Sequence, residues 1–425
     1  MPLASVSLEN YRSFVDEAVI ELRPLTLLFG YNSAGKSAAV RILPILAASV
    51  LPGQNAPLAL DSEAARGASF RDLLSKQRSD PTLTFGFEWN GNERFRTQAV
   101  IRDLPERQVQ ILERITISSE NVEVEALWDP EDAQTNAESH RYIFSVGGIR
   151  TGVFPMAVDG LMFTPPKRQP FTELFTGAAR RLVALGESVH WLNSLRASPR
   201  RIARFGVRPR RMLPDGSNAA DFLAHDTLSD GKLLEGTARW FEQATGHRLS
   251  VRRYAAGEEQ YTLMIAPTTA VPSVEIPVVD AGEGMGQALP VIVLGCLASL
   301  GRLGPSPLLA IEHPELHLHP AAHVHLAAFL CSVTRAHSKP TVVVETHSEN
   351  FLLRVQLAIA HGEISPSDVV VHWLRELQDG RSVLDTITFD AAARPGGDGW
   401  PPGVFSEDTE QAKALLRARK ERGLV

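Results

Sequence analysis

A chain of 425 residues, 44% apolar and 22% charged with no biased tract, can bury cores for two or three domains. Its net charge of −6 excludes a uniformly basic nucleic-acid coat but permits a local basic patch. No apolar run approaches the roughly eighteen residues of a membrane span. The opening MPLASVSLENYRSF lacks the basic-then-apolar order of a signal peptide, and Cys296 and Cys331 lie far apart in apolar surroundings. The expectation is a cytoplasmic protein with no disulfide and no membrane contact.

In chain order, residues 3–8 and 18–22 read as short strands joined by a turn at 10–14. Residues 25–29 are strand formers, and they run into Gly30-Tyr31-Asn32-Ser33-Ala34-Gly35-Lys36-Ser37, followed by a small-residue helix start. This is a P-loop in strand–loop–helix context. Gly30 and Gly35 let backbone N–H groups of the loop, with Asn32, Ser33 and Ala34 between them, turn inward on phosphate. The helix dipole points at the same place, Lys36 reaches the β- and γ-phosphates, and the Ser37 hydroxyl ligates Mg²⁺. The chain is therefore expected to bind a nucleoside triphosphate. The P-loop helix should run from Lys36 to about Val50 with a bend at Pro44.

Residues 82–128 alternate repeatedly, as an antiparallel meander with one wet face does, and 142–154 add one or two strands around a polar loop at 129–139. From 171 to about 241 the texture is helical. Residues 195–211 hold seven arginines: Arg196, Arg200, Arg201, Arg204, Arg208, Arg210 and Arg211. A solvated face, a grip on a nucleic-acid backbone through Arg200, Arg201 and Arg204, and a protein-docking surface all remain open for it. Strand character returns at 249–254, 261–265 and 274–279. A helix follows the glycine-rich 282–287, and then βαβα alternation begins, the pattern of a parallel sheet with crossover helices. The strand at 308–311 ends in Glu312, suited to hold Mg²⁺, and the strand at 341–344 ends in Glu345-Thr346-His347-Ser348. Five histidines at 313, 317, 319, 323 and 325 suggest zinc, but the order HPELH places glutamate and proline wrongly for a helical zinc motif. The segment 407–422 reads as a charged surface helix.

The succession of P-loop, GEGMGQ, IEHPELHLHP and ETHS resembles the ABC-type ATPase heads of the SMC/RecF group. Within that group it is most similar to AAA-family ATPases of prokaryotic anti-phage modules, related to the ATPase halves of OLD-type nucleases. The openings ENYRSF, LR-x-x-P and DGSN and the tail GDGWPPGVF extend the likeness along nearly the whole chain. The resemblance implies an α/β ABC-type head, a RecA-like parallel core with an antiparallel β-subdomain and a helical insertion. Its parts would be an N-terminal lobe at 1–165, the arginine-rich insertion at 166–248, a C-terminal lobe at 249–395 and a tail helix at 396–425.

It further implies ATP and Mg²⁺ as cofactors, with Ser37 and Glu312 on the metal. Gly284 and Gly286 would belong to a signature loop that meets the γ-phosphate held by a second copy, and His347 would sense that phosphate. Arg12 would sit near the base or α-phosphate, and Gln77 would join the lobes at the nucleotide. Where relatives carry a second acid as general base, this chain has His313. An imidazole can accept a proton at neutral pH, but its reach and charge differ, so slow hydrolysis is expected. The implied function is an ATPase whose head dimerisation gates a separate effector, a nuclease in anti-phage defence, because no HNH-like or Toprim-like set is legible in this chain. A RecF-like DNA-repair clamp and a non-hydrolysing ATP-bound scaffold are the other readings.

Overall fold

The computed structural model describes the chain apart from residues 1, 55, 92–93, 121, 131–139, 168, 255–258, 270–273, 397–398, 402–403, 406–412 and 420–425. Most of the polar loop expected at 129–139 and most of the tail helix lie outside the described residues; within the tail, 413–419 are helical.

Two sheets carry the fold. The first is antiparallel and nine-stranded, in the order Met162–Thr164, Ile149–Asp159, His140–Val146, Glu123–Trp128, Val109–Ser118, Phe95–Leu104, Thr82–Trp89, Leu3–Glu9, Ala18–Glu21. Its meander pairs neighbours in sequence until Leu3–Glu9 docks against Thr82–Trp89, which ties the N-terminus to the meander. The alternation read in the sequence becomes one face packed on helices and one face wet.

The second sheet has six strands in the order Val189–Leu192, Leu308–Glu312, Thr341–Glu345, Leu25–Gly30, Val369–Glu376, Ser382–Ile387, parallel except for the last. Its strands are buried on both faces, and successive residues face different cores. Leu28, Ala310, Val343 and Leu374 pack toward the antiparallel sheet and the P-loop helix Lys36–Ser49. Leu27, Ile311, Val344 and Trp373 pack toward the helices Glu283–Ser299, Pro320–Thr334 and Glu349–Ala360. Period-two exposure to two apolar layers accounts for the continuous apolar runs of these strands.

The segment 166–248 is more than a helical insertion. It contains helices Thr172–Ser188, Ala219–Asp226 and Lys232–Thr245, but also Val189–Leu192, the edge strand of the parallel sheet. Four residues are too few for a periodicity to be legible, and the strand forms because Leu308–Glu312 offers an unpaired edge. The dipeptide strand Ala203–Arg204 and strand His247–Arg253 flank Gln260–Pro267 in a third, small sheet. Cys296 and Cys331 are buried and free, and burial pushes their thiols up to about 11 and about 12. No described helix is long and apolar enough to cross a membrane.

His190, on the edge strand, is 5% exposed and neither ring nitrogen has a hydrogen-bond partner. Burial, aided by the charge of Arg211, pushes it down to about 4 from 6.5. Because the folded value lies below the unfolded one, the neutral ring's contribution is complete above pH 6.5 and is lost as pH falls toward 4. His190→Leu is expected to flatten the pH dependence of unfolding free energy across that window by roughly 3 kcal/mol. Denaturant unfolding at stepped pH measures it.

Candidate functional site: a phosphate cradle at the sheet edge

At the C-terminal ends of the parallel strands lies a cleft of about 380 Å³, within the range of small-ligand sites. It is lined by the P-loop residues Asn32, Ser33, Gly35, Lys36 and Ser37, by Tyr11, Arg12 and Ser13 on one side, and by His313, Glu345 and His347 on the other. Arg41, one turn beyond Ser37 on the P-loop helix, completes it.

The loop conformation explains its glycines. Gly30 has φ +146°, and a Cβ there would lie 2.1 Å from the Leu374 carbonyl oxygen of the neighbouring strand. Gly35, at φ +91°, stands against the Ser13 and Ser382 hydroxyls, so the turn 10–14 is packed onto the cradle. Lys36 is 4% exposed, and its ammonium donates to the carbonyls of Gly30 (2.9 Å) and Tyr31 (2.5 Å). Ala34 is fully buried beneath the loop. A buried ammonium satisfied only by carbonyls at the mouth of a helix dipole is an environment that a phosphate would improve, so the residues present fit a triphosphate.

The two strand-end carboxylates have different partners from those the sequence suggested. Glu312 is fully buried and does not line the cleft. Its carboxylate accepts a bidentate pair from Arg41 (2.7 and 2.5 Å) and a third hydrogen bond from the Trp191 indole (3.0 Å). Ser37, expected to share a metal with Glu312, instead donates its hydroxyl to Glu345 Oε1 at 2.6 Å. The strand order is the reason: Thr341–Glu345 lies between Leu25–Gly30 and Leu308–Glu312, with Glu345 level with both Leu28 and Glu312. Glu345 is 1% exposed and its Oε2 has no partner. Burial raises its pKa, opposed by His313 and the Ser37 hydrogen bond. For Arg41, burial works against the charge, but the hydrogen bond and charge of Glu312 more than offset it, and its pKa is raised.

His313 and His347 stack, with ring centroids 5.2 Å apart and planes 11° from parallel. His313 Nε2 is 3.5 Å from Glu345 Oε1, and its backbone N–H donates to the Glu345 carbonyl. Burial, then the charges of Lys36 and His313, push His347 down to about 4, so it is neutral at physiological pH. Its loop is held by Glu315, whose Oε1 accepts from the Thr346 hydroxyl (2.7 Å) and the His347 N–H (3.0 Å). The other histidines of the run have local partners: His319 caps the helix Pro320–Thr334, and His323 bonds Ser348 and the Leu318 carbonyl. Among the described residues no group of three or more His, Cys, Asp or Glu side chains is placed to hold a metal by itself.

Two expected contacts lie elsewhere. Gln77 does not line the cleft; its amide donates to the Asp379 carbonyl at 2.6 Å. Gly284 and Gly286 open the helix Glu283–Ser299 away from their own subunit's cleft. A Cβ at Gly284 would meet the His317 carbonyl oxygen at 2.5 Å, which holds this helix start against the turn after Glu312.

Three of the seven arginines in the segment 195–211 have partners within the fold. Arg196 is buried and donates to the carbonyls of Glu312 (2.9 Å) and His313 (2.8 Å), while its own backbone is clasped on both sides by Gln287. Burial lowers its pKa to about 10, with Glu315 and Glu312 opposing. Arg201 is bidentate to Asp280, and Arg211 donates to the Val189 carbonyl. Arg200, Arg204, Arg208 and Arg210 remain exposed. Arg196, Arg41, Trp191 and Gln287 were missed as site residues. An arginine within the apolar pattern of the P-loop helix was the one available signal.

Burial lowers the Lys36 ammonium to about 8, against the opposing pull of Glu345. Phosphate binds the charged form, so nucleotide affinity should fall as pH rises through about 8 rather than 10.5, with proton uptake on binding above that pH. Calorimetry in buffers of different ionisation enthalpy measures the uptake. Lys36→Ala should abolish it and weaken binding by about 10- to 100-fold.

Comparison with known proteins places part of this arrangement. Residues 273–354, a stretch that includes the helix Glu283–Ser299, the Leu308–Glu312 strand and the His347 loop, match the family described as "AAA domain, putative AbiEii toxin, Type IV TA system". No curated protein matches the sequence significantly. Similar solved structures include an SMC head bound to the C-terminal winged-helix domain of ScpA (10% identity, 91% of this chain and 98% of that one, TM-score 0.48). Two more are an SMC head domain from Thermotoga maritima (10%, 91% and 98%, 0.41) and one from Pyrococcus furiosus bound to the ScpA C-terminal domain (10%, 99% and 99%, 0.46). Residues 273–354 thus resemble that AAA domain, and the P-loop, with one strand inserted between its own strand and the Glu312 strand, has the arrangement of a nucleotide-binding site.

Proposed function

We propose that this chain binds ATP with Mg²⁺ in the cleft, pairs with a second copy across the bound nucleotide, hydrolyses it slowly, and uses the cycle to gate a separate effector. The observation that carries the reading is the buried Lys36 ammonium in the P-loop, whose hydrogen-bond acceptors among the described residues are loop carbonyls that a triphosphate would replace. Pairing is supported by the position of 282–285, which are exposed or half-buried at a helix start outside their own cleft and are suited to complete another copy's, while Gly286 behind them is buried.

In this reading Lys36 and the loop N–H groups hold the phosphates, while Ser37 and a strand-end carboxylate hold the cation. The cation supplies charge neutralisation for the developing negative charge on the phosphoryl oxygens. His313 accepts the proton of a water attacking the γ-phosphorus, the bond from that phosphorus to the β,γ-bridging oxygen breaks, and ADP and phosphate leave. Neutral His347, stacked on His313, donates a hydrogen bond toward the γ-phosphate. A single imidazole base contributes on the order of 10²- to 10⁴-fold, so chemistry without the usual carboxylate is slow. The toxin–antitoxin description of the matching family supports a role in defence against phage, with the effector, a nuclease, on another chain. Of the three arginines weighed for a nucleic-acid backbone, Arg201 pairs with Asp280 while Arg200 and Arg204 stay exposed.

The test is the mass of the particle with and without ATP and Mg²⁺, together with single-turnover phosphate release. Wild type should associate only with ATP, and Lys36→Ala should stay monomeric. Glu283→Arg, on an exposed first turn, should keep nucleotide affinity but lose association. His313→Ala should retain association and slow phosphate release by about 100-fold or more. Wild type that stays monomeric with nucleotide bound would overturn the paired reading, and unchanged release in His313→Ala would remove the base assignment.

A further inference from the structure

Resting on the nucleotide reading above, we infer that the metal ion is held by Ser37 and Glu345, and that Glu312 is a buried structural anion neutralised by Arg41.

Three observations converge. Ser37, the P-loop hydroxyl at the metal position, already touches Glu345 and not Glu312. Glu345 lines the cleft, is 1% exposed, and keeps one oxygen, Oε2, without a partner. A desolvated carboxylate oxygen with no donor is costly, and a cation is what would satisfy it. Glu312, by contrast, is already neutralised and has a donor on each oxygen. Its two oxygens take three donors from Arg41 and Trp191, it does not line the cleft, and its main-chain carbonyl is held by Arg196.

The sheet supplies the geometric cause. Adjacent strands lie about 4.8 Å apart, so a residue on the strand next to the P-loop strand is one spacing away, and Glu312 is two. Arg41 fills the extra distance, and its guanidinium matches a carboxylate in two-point geometry. Mg²⁺ keeps several waters and takes one or two protein oxygens plus phosphate, so one hydroxyl and one carboxylate suffice.

The experiment titrates the non-hydrolysable ATP analogue AMP-PNP into wild type, Glu345→Gln and Glu312→Gln, each in excess Mg²⁺ and in EDTA. The electron paramagnetic resonance signal of Mn²⁺ bound in the presence of AMP-PNP serves as a direct metal readout. Glu345→Gln can still accept from Ser37. It should keep its EDTA affinity, lose the gain given by metal by about tenfold or more, and bind Mn²⁺ correspondingly more weakly. Glu312→Gln should retain the metal gain.

Without any nucleotide, the thermal midpoints should move in opposite senses. Glu345→Gln holds or raises it by removing an unsatisfied buried charge, whereas Glu312→Gln lowers it by several degrees by leaving Arg41 unpaired. Loss of the metal gain in Glu312→Gln with retention in Glu345→Gln overturns the inference. If Glu312→Gln fails to fold, Glu345→Gln decides alone. Wild type that binds AMP-PNP equally with and without metal also overturns it while the nucleotide reading stands. Wild type that binds no AMP-PNP at all refutes that reading instead.

Discussion

Two carboxylates, Glu312 and Glu345, are carried by parallel register to the same edge of one sheet and sealed from water, and the site is shaped by how each is neutralised. An isolated buried carboxylate is costly enough that the surrounding structure must supply a partner. Glu312 receives Arg41 and Trp191, which draw the P-loop helix and the edge strand Val189–Leu192 onto the Leu308–Glu312 strand. Glu345 receives one hydroxyl and the edge of one imidazole, and retains one buried oxygen without a partner. The same sheet edge thus holds one satisfied charge and one that is not.

The satisfied charge links distant parts of the fold. Behind Glu312, Arg196 holds the carbonyls of the turn that carries His313, and Gln287 holds Arg196 from the start of the helix Glu283–Ser299. Gly284 presses that helix start against the His317 carbonyl in the same turn. The turn that presents His313 to the cleft is therefore packed against the surface that would meet another copy. A displacement at either end would have to move buried hydrogen bonds, and such packed contacts switch between discrete arrangements rather than bend.

The histidine pair is set by the same confinement. Stacking brings His313 and His347 within van der Waals range, while Lys36 and burial keep His347 from charging. Burial and the buried ammonium of Lys36 thus favour the neutral form of His347 at physiological pH. In that form the His347 ring keeps one N–H to donate.

Local pattern in the chain determined the phosphate cradle, the parallel core and the meander. The P-loop glycines, the apolar runs ending in Glu312 and Glu345, and the period-two alternation at 82–128 each depend on neighbours in sequence. Only the tertiary structure decided which acid faces the P-loop hydroxyl, that Val189–Leu192 joins the sheet, that Arg196 turns inward while Arg201 pairs with Asp280 at the surface, and that Gln77 lies away from the cleft. Strand order is set by long-range pairing, and a single position in that order moves a carboxylate by a full strand spacing. A charged side chain's partner depends on burial and on what else reaches the same oxygen, and neither is encoded in the few residues around it.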